Sequence, residues 1–115
     1  MSSAIGYNLA TKLLPCVYLQ NSGLGNSINP LISISHKKIY SIPALLIIGW
    51  RGAPNENDEP QHMVKGRITP SLLKLLGIKF QILNKNLDLK KISKLINYSK
   101  KNKQVVACLI KNNKL

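Results

Sequence analysis

The stretch Pro43-Ala-Leu-Leu-Ile-Ile-Gly-Trp50 is the longest apolar run in the chain and contains no charged residue. It is far shorter than the roughly 20 apolar residues that a membrane-spanning helix needs. An unbroken apolar run of this length is typical of a strand that is covered on both faces, as in a parallel sheet. We therefore predict a buried strand at residues 43–49.

Three further apolar runs predict strands, at Cys16–Gln20, Lys79–Leu83 and residues 105–110. Helical patterns precede or separate them at residues 4–14, 26–38, 69–77 and 87–102. Such alternation predicts an α/β domain with three layers (αβα) around a mainly parallel sheet.

Two of the helices carry terminal signals of their own. In the third, Thr69 suits the N-cap, Pro70 the first helical position and Gly77 the C-terminal stop. In the fourth, Asp88 suits the N-cap. The apolar stripe of this last helix is expected to consist of Leu89, Ile92, Leu95 and Ile96.

The chain carries 17 lysine and arginine residues against 4 acidic ones, which gives a net charge of +13. A basic chain is a candidate for nucleic-acid binding. Here the lysines between residues 90 and 114 fall on the solvated side and exit of the last helix, without interleaved aromatic residues for base stacking. We therefore do not expect a nucleic-acid partner.

The two cysteines, Cys16 and Cys108, lie inside apolar runs and lack the spacing of a zinc site. We expect both to be small buried side chains in a reducing, cytoplasmic compartment. No secretory signal and no membrane partner are predicted, because the N-terminus lacks a basic segment followed by an apolar one.

Ligands of open α/β sheets bind beyond the carboxyl ends of the strands, so the segments after the strands are the candidate sites. The first is Gln20-Asn-Ser-Gly-Leu-Gly-Asn26, in which two glycines flank a leucine. The pattern fits a turn that lets the backbone approach a ligand, and equally an ordinary tight turn before a helix. It is neither a dinucleotide fingerprint nor a P-loop.

The second candidate is the long loop from Gly49 to Met63, which holds Glu56, Asp58 and Glu59, three of the four acidic residues. His62 could transfer a proton or donate to an oxyanion, or it could be a solvated loop histidine. Arg51 could clamp an anionic substrate group, or it could pair with Asp58 or Glu59.

Several motifs, in sequence order, resemble one enzyme family. Gln20-Asn-Ser-Gly-Leu-Gly-Asn-Ser-Ile-Asn-Pro-Leu31 resembles the signature of thiamine-diphosphate-dependent phosphonopyruvate and sulfopyruvate decarboxylases, and Ala4-Ile-Gly-Tyr-Asn-Leu-Ala-Thr11 resembles the preceding helix. Ile42-Pro-Ala-Leu-Leu-Ile-Ile-Gly-Trp-Arg-Gly52 and Asp58-Glu-Pro-Gln-His62 resemble the phosphonopyruvate enzymes in particular. The resemblance identifies residues 1–115 as part of the pyrimidine-binding N-terminal domain of such an enzyme.

The resemblance implies decarboxylation of a 2-oxo acid, 3-phosphonopyruvate or 3-sulfopyruvate, with thiamine diphosphate as the electron sink. It implies Mg²⁺ on the diphosphate, held by a diphosphate-binding domain or subunit that this chain lacks, and an oligomeric enzyme. The implied catalytic residues are His62 and Gln61. Cofactor contacts are implied for Asn21, Ser22, Gly23, Leu24, Gly25 and Asn26, and substrate contacts for Arg51, Asp58 and Glu59.

The chain also departs from the family pattern. The family's activating glutamate lies just upstream of the helix matched by Ala4 to Thr11, where this chain has Met1-Ser-Ser3. We expect the domain to lack its first β-α-β unit, and the chain alone to be incomplete as a catalyst. A subunit of a split enzyme and a non-catalytic remnant are both compatible with these departures.

Overall fold

The computed structural model of the chain describes residues 1–83 and 88–111. Helices and strands alternate along most of this length. In order they are α1 (Ser2–Thr11), β1 (Cys16–Gln20), α2 (Asn21–Leu24), a 3₁₀ turn (Gly25–Ser27), α3 (Ile28–Pro30), a π-helical turn (Leu31–Ser35), β2 (Ala44–Trp50), α4 (Pro60–Leu75), β3 (Lys79–Leu83), α5 (Leu89–Asn102) and β4 (Val105–Lys111). No helix in the described ranges is long and apolar enough to cross a membrane.

The four strands of the described chain form one sheet in the order β1-β2-β4-β3, and every neighbouring pair is parallel. Strand β2 lies next to β1, β3 forms the opposite edge of the sheet, and β4 inserts between β2 and β3. Because the strand order reverses between β3 and β4, α4 and α5 lie on opposite faces of the sheet. The predicted α/β class, the parallel sheet and the three layers are therefore confirmed.

Side chains of the central strands alternate between two cores, one on each face of the sheet. On one face, Leu46 and Ile48 pack with Leu73 of α4. On the other, Val106 and Cys108 pack with Leu95 of α5. Since β2 and β4 are buried on both faces, they show the continuous apolar runs expected of central parallel strands.

Strand β1 lies at the edge of the described sheet, and one of its faces is open. Cys16 is exposed, and Tyr18 is 63% exposed. The prediction that Cys16 is buried was wrong, because α5 covers the central strands and leaves this face of β1 uncovered. Cys108 is buried as predicted, and the loss of solvation raises the pKa of its thiol to about 11.

Helix α4 begins ten residues earlier than predicted, at Pro60 instead of Pro70. Pro60 occupies its first turn, whereas Thr69 and Pro70 lie in its interior. A proline inside a helix removes the hydrogen bond to the carbonyl four residues earlier. That carbonyl, of Gly66, instead accepts a buried hydrogen bond of 2.8 Å from the indole N–H of Trp50. A contact from β2 therefore compensates for the proline, and this compensation is invisible to local sequence rules.

The ends of α4 and α5 follow the predicted signals more closely. Gly77 has the left-handed backbone (φ 69°) of a residue that terminates a helix. The Asp88 carboxylate accepts hydrogen bonds from the backbone N–H groups of Lys90 and Lys91, which confirms it as the N-cap of α5. Leu89, however, is 71% exposed and does not belong to the apolar stripe. The predicted start at Leu87 lies outside the described residues.

Candidate active site at the carboxyl edge of the sheet

The candidate site lies where β1 and β2 end side by side. Gln20 and Gly49 are register partners in the last rung of this strand pair. Asn21 begins a helical segment directly after β1, and the loop after β2 runs from Arg51 to Glu59 before α4 starts. Both sequence-predicted segments therefore meet at the carboxyl edge, where parallel α/β sheets bind their ligands.

The first segment is not the turn that its glycines predict. Residues 21–24 are α-helical and 25–27 continue as a 3₁₀ turn, so the helix expected at residues 26–38 starts at Asn21 and ends at Ser35. The prediction was wrong because paired glycines indicate a turn by local rules, whereas neither glycine here has a positive φ angle.

Asn21 is buried and joins three parts of the site. Its amide nitrogen donates to the Arg51 carbonyl (2.9 Å) and to Thr69 Oγ1 (3.1 Å). Its amide oxygen accepts from the Arg51 backbone N–H (3.2 Å). Both amide protons are thus used inside the chain. The Asn21 side chain links the end of β1 to the end of β2 and to α4. The cofactor contact of Asn21 stays a prediction, and the amide protons of this side chain are not free to make it.

The side chain of Leu24 is also unavailable to a ligand. Its side chain is fully buried in the core, packed with Leu31 and Leu46 among others, so only its backbone can face a ligand. By contrast, Ser22 is half-buried and Asn26 is exposed, and neither side chain is hydrogen-bonded to another residue of the described chain. These two retain free polar groups at the carboxyl edge.

The two glycines of this segment are not required by the chain itself. A Cβ atom on Gly25 would meet no atom within 4 Å, and one on Gly23 would make only ordinary contact with Leu19. Neither residue has the left-handed backbone that favours glycine. The backbone at Gly25 therefore faces open space, and a side chain there would displace no atom of the described chain.

The second segment is fixed by a bidentate ion pair. Arg51 Nε and Nη2 donate to the Asp58 carboxylate at 2.8 and 2.5 Å. The same carboxylate accepts from the backbone N–H groups of Gly52 (3.0 Å) and Glu59 (2.9 Å). The hydrogen bonds from Arg51 hold the pKa of Asp58 well below its usual range, and Asp58 raises the pKa of Arg51 in turn.

This pairing settles one alternative left open by the sequence. Of the two candidate partners of Arg51, Asp58 forms the bond, and the carboxylate is fully engaged by the loop that it closes. Asp58 therefore shapes the site from within. The Arg51 side chain is 26% exposed, which leaves part of the guanidinium accessible at the edge of the site.

The loop is pressed directly onto the start of α4. Gly52 has a left-handed backbone (φ 67°), and a Cβ there would overlap the carbonyl of His62. A Cβ on Gly66 would overlap the carbonyl of Gly52 in the same way. Backbone can approach backbone this closely only at glycine, so these two residues set the distance between the loop and the histidine.

His62 lies in the first turn of α4 rather than in a loop. It is half-buried, and its Nδ1 atom is shielded from solvent with no hydrogen-bond partner among the described residues. A buried polar atom without a partner costs about 1–3 kcal/mol, so such an atom calls for an explanation, which can be a bound water, an ion or a functional role. Ser35 Oγ is a second such atom in the described chain. Gln61, next to His62 in the chain, is exposed, and Glu56 and Glu59 belong to the same edge.

Trp50, Thr69 and Gly66 shape this site although the sequence did not single them out as functional. Thr69 Oγ1 links Asn21 to the Lys65 carbonyl, and Trp50 anchors α4 at Gly66. One local signal for these roles is Pro70. If it lies inside a helix, the carbonyl of Gly66, four residues earlier, lacks its helical donor and needs another one. No group of three metal-ligating side chains occurs in residues 1–83 and 88–111.

Comparison with known proteins places the chain beside two kinds of enzyme. No protein-family model matches it. It is 48% identical over 75 residues to the phosphonopyruvate decarboxylase of Streptomyces viridochromogenes, across 65% of this chain and 18% of that protein. The figures for the Streptomyces hygroscopicus phosphonopyruvate decarboxylase are 49% over 70 residues, across 61% and 17%.

A third relative belongs to the other substrate type. The alpha subunit of sulfopyruvate decarboxylase from Methanothermobacter thermautotrophicus is 40% identical over 78 residues, across 68% of this chain and 45% of that protein. The chain thus spans less than a fifth of the two phosphonopyruvate decarboxylases and less than half of the alpha subunit.

Proposed function

Because this chain is homologous to one segment of the phosphonopyruvate and sulfopyruvate decarboxylases, we propose that it is the pyrimidine-side domain or subunit of a thiamine-diphosphate-dependent decarboxylase. The observation that carries the proposal is 48% identity over 75 residues to a phosphonopyruvate decarboxylase. Identity to the sulfopyruvate alpha subunit is lower, at 40%. The proposed reaction is therefore conversion of 3-phosphonopyruvate to phosphonoacetaldehyde and carbon dioxide, with 3-sulfopyruvate as the alternative substrate.

The carboxyl edge is the proposed cofactor face. Thiamine diphosphate, when bound, supplies the electron sink into which the carbon–carbon bond of a 2-oxo acid can break. Ser22 and Asn26 offer free polar groups, and the backbone at Gly23 and Gly25 is open to a flat ring. The diphosphate and its Mg²⁺ would be held by a second domain or subunit. The name of the sulfopyruvate relatives, subunit alpha, supports an enzyme of more than one subunit.

His62 is the proposed proton-handling residue. The half-buried imidazole can accept a proton or, when protonated, donate a hydrogen bond to a substrate oxygen. The close contact between Gly52 and the backbone carbonyl of His62 fixes the position of this part of α4 against the loop. Gln61 is exposed beside His62 and can donate a second hydrogen bond from its amide.

Arg51 is proposed to attract the anionic tail of the substrate. Asp58 orients the guanidinium through two hydrogen bonds and leaves part of it exposed. A planar guanidinium suits the oxygens of a phosphonate, a sulfonate or a carboxylate. Glu59 follows Asp58 at the same edge and would limit which anions can approach.

The direct test is an exchange of segments. The 75-residue segment of this chain replaces its counterpart in the Streptomyces viridochromogenes enzyme, and the chimera is assayed with 3-phosphonopyruvate and with 3-sulfopyruvate. We expect phosphonoacetaldehyde to form, with the higher kcat/KM on the phosphonate. A chimera that folds, binds thiamine diphosphate and converts neither substrate would identify the segment as a non-catalytic remnant.

A further inference from the structure

The charges of the chain are sorted between the two edges of the sheet. All four acidic residues (Glu56, Asp58 and Glu59 after β2, and Asp88 at the start of α5) lie at the carboxyl edge. The segments that lead into the strands, at the amino edge, carry only basic charges. These are Lys12, Lys37, Lys38, Lys74, Lys79, Lys100, Lys101 and Lys103.

The lysines of the amino edge have no carboxylate partner within residues 1–83 and 88–111. Within the described residues, the ion pairs within 4.0 Å are Arg51–Asp58 and Lys91–Asp88, both at the carboxyl edge. A concentration of like charge without partners creates a strong local potential that favours a negatively charged partner. It also destabilises the isolated chain through self-repulsion, which such a partner would relieve.

The same edge contains an open groove with an apolar floor. It lies between the end of α1, the segment before β2 and the end of α5, and its volume is about 680 Å³. Leu9, Leu13 and Tyr40 line it while remaining 53%, 58% and 71% exposed. Lys12, Lys100 and Lys103 also line it, so the groove combines an apolar floor with positive charge.

The walls of the groove are held together. Ser41 Oγ donates a hydrogen bond of 2.8 Å to the carbonyl of Lys103, which links the segment before β2 to the end of α5. Lys12 and Lys103 both occupy the left-handed position just after a helix, where glycine is the usual residue. Two lysines therefore stand at the groove where the backbone alone would favour a smaller, uncharged residue.

We propose that this amino-edge groove docks a segment of a partner protein that carries both acidic and apolar side chains. The apolar floor matches the central part of a protein interface, and the surrounding lysines match its polar rim. Acidic groups on the partner would meet lysines that have no carboxylate nearby in the described chain. The groove lies at the edge opposite the proposed active site, so the inference does not rest on the proposed function.

Charge also decides between possible occupants. A second copy of the chain carries 17 lysine and arginine residues against four acidic ones, and Asp58 is already engaged by Arg51, so it is a poor partner for a groove lined by three lysines. A single strand of nucleic acid would be recognised by stacked aromatic side chains, whereas Tyr40 stands among leucines. An acidic, leucine-bearing peptide segment satisfies both the charge and the apolar floor.

The test uses a fluorescent peptide of about 12 residues in which glutamates and leucines alternate in pairs. Its affinity for the full chain is measured by anisotropy. Reversing two charges at the groove, with Lys100→Glu and Lys103→Glu, is expected to weaken binding about tenfold or more. Replacing Leu9 and Leu13 with serine should weaken it to a similar degree. Circular dichroism confirms that each variant is folded.

The matched control reverses two charges at the other end of the same helix, with Lys90→Glu and Lys91→Glu. Because the net charge changes equally, this variant should keep its affinity for the peptide within about twofold. An equal loss in the control would show that net charge alone is responsible and would overturn the proposal. So would tight binding of an all-glutamate peptide, or preferential binding of a single-stranded oligonucleotide that the groove variants abolish.

Discussion

Replacing Trp50 with phenylalanine removes one buried hydrogen bond on which α4 depends. The indole N–H of Trp50 donates to the Gly66 carbonyl, which has lost its helical donor to Pro70. Phenylalanine keeps an aromatic ring in the core but has no donor. The Gly66 carbonyl would then be left unpaired inside the protein.

Two contributions determine how much Trp50→Phe lowers the free energy of unfolding. An unsatisfied buried carbonyl costs about 1–3 kcal/mol. The smaller ring leaves a gap in a site where Trp50 is only 3% exposed, which adds about 1 kcal/mol. We therefore expect Trp50→Phe to lower the free energy of unfolding by about 2–4 kcal/mol.

A second substitution isolates the hydrogen bond. Pro70→Ala restores a backbone N–H four residues after Gly66, so the carbonyl regains a donor without the indole. In the Pro70→Ala background, the loss of free energy of unfolding caused by Trp50→Phe should therefore be smaller by about 1–2 kcal/mol. Effects of proline on the unfolded chain, and of its lost ring atoms, cancel in this double-mutant cycle.

The assay is urea denaturation of all four proteins, followed by circular dichroism because Trp50 is the single tryptophan of the chain. A coupling energy of at least about 1 kcal/mol is expected. If Trp50→Phe costs the same in the original chain and in the Pro70→Ala background, the indole does not compensate for the proline. The explanation given for a proline inside α4 would then be wrong.

Further expectations concern the candidate site. In the chimeric enzyme, His62→Ala should lower kcat about 100-fold if it handles a proton, while His36→Ala, at the other edge, should leave kcat unchanged. Equal effects would refute the assignment. The folded-state pKa of Asp58 is lowered, so its stabilising contribution is present above pH ~4 and is lost as the pH falls through that pKa. Asp58→Asn should accordingly be less stable than the unmodified chain at pH 7, and denaturation curves at successively lower pH should show the gap shrinking. Gly25→Ala should leave stability unchanged or raise it slightly, but it should weaken thiamine diphosphate binding. Gly66→Ala should destabilise the fold by more than ~2 kcal/mol, because its Cβ would overlap the Gly52 backbone. Loss of stability in both glycine variants would refute the claim that the backbone at Gly25 faces open space.

Strand positions were predictable from the sequence because each strand is a short apolar run bounded by turn or polar residues. β1 and β3 have the predicted bounds, β2 is shifted by one residue at both ends, and β4 extends one residue further than predicted. The exposure of Cys16 was not predictable, since it depends on which strands α5 covers. The start of α4 was missed for a related reason: Pro70 is tolerated only because Trp50, on another element, supplies the missing donor.

The candidate site was predictable in location but not in detail. Strand order brings the segments after β1 and β2 together at one edge, as the alternating pattern implied. The roles inside it depend on contacts over long sequence separations, such as the bonds from Asn21 to Arg51 and Thr69. Local patterns offer no means of telling that Asn21 is engaged while the Nδ1 atom of His62 lacks a partner among the described residues.

The most direct measurement is a nuclear magnetic resonance titration of the isotope-labelled chain with thiamine diphosphate and Mg²⁺. If the carboxyl edge is the cofactor face, the amide signals of residues 22–26 and the imidazole signals of His62 should shift, while those of Lys12 and Lys103 at the amino edge should not. Shifts confined to the amino edge, or no shift at millimolar cofactor in a chain whose spectrum shows it to be folded, would contradict the proposed role of this edge.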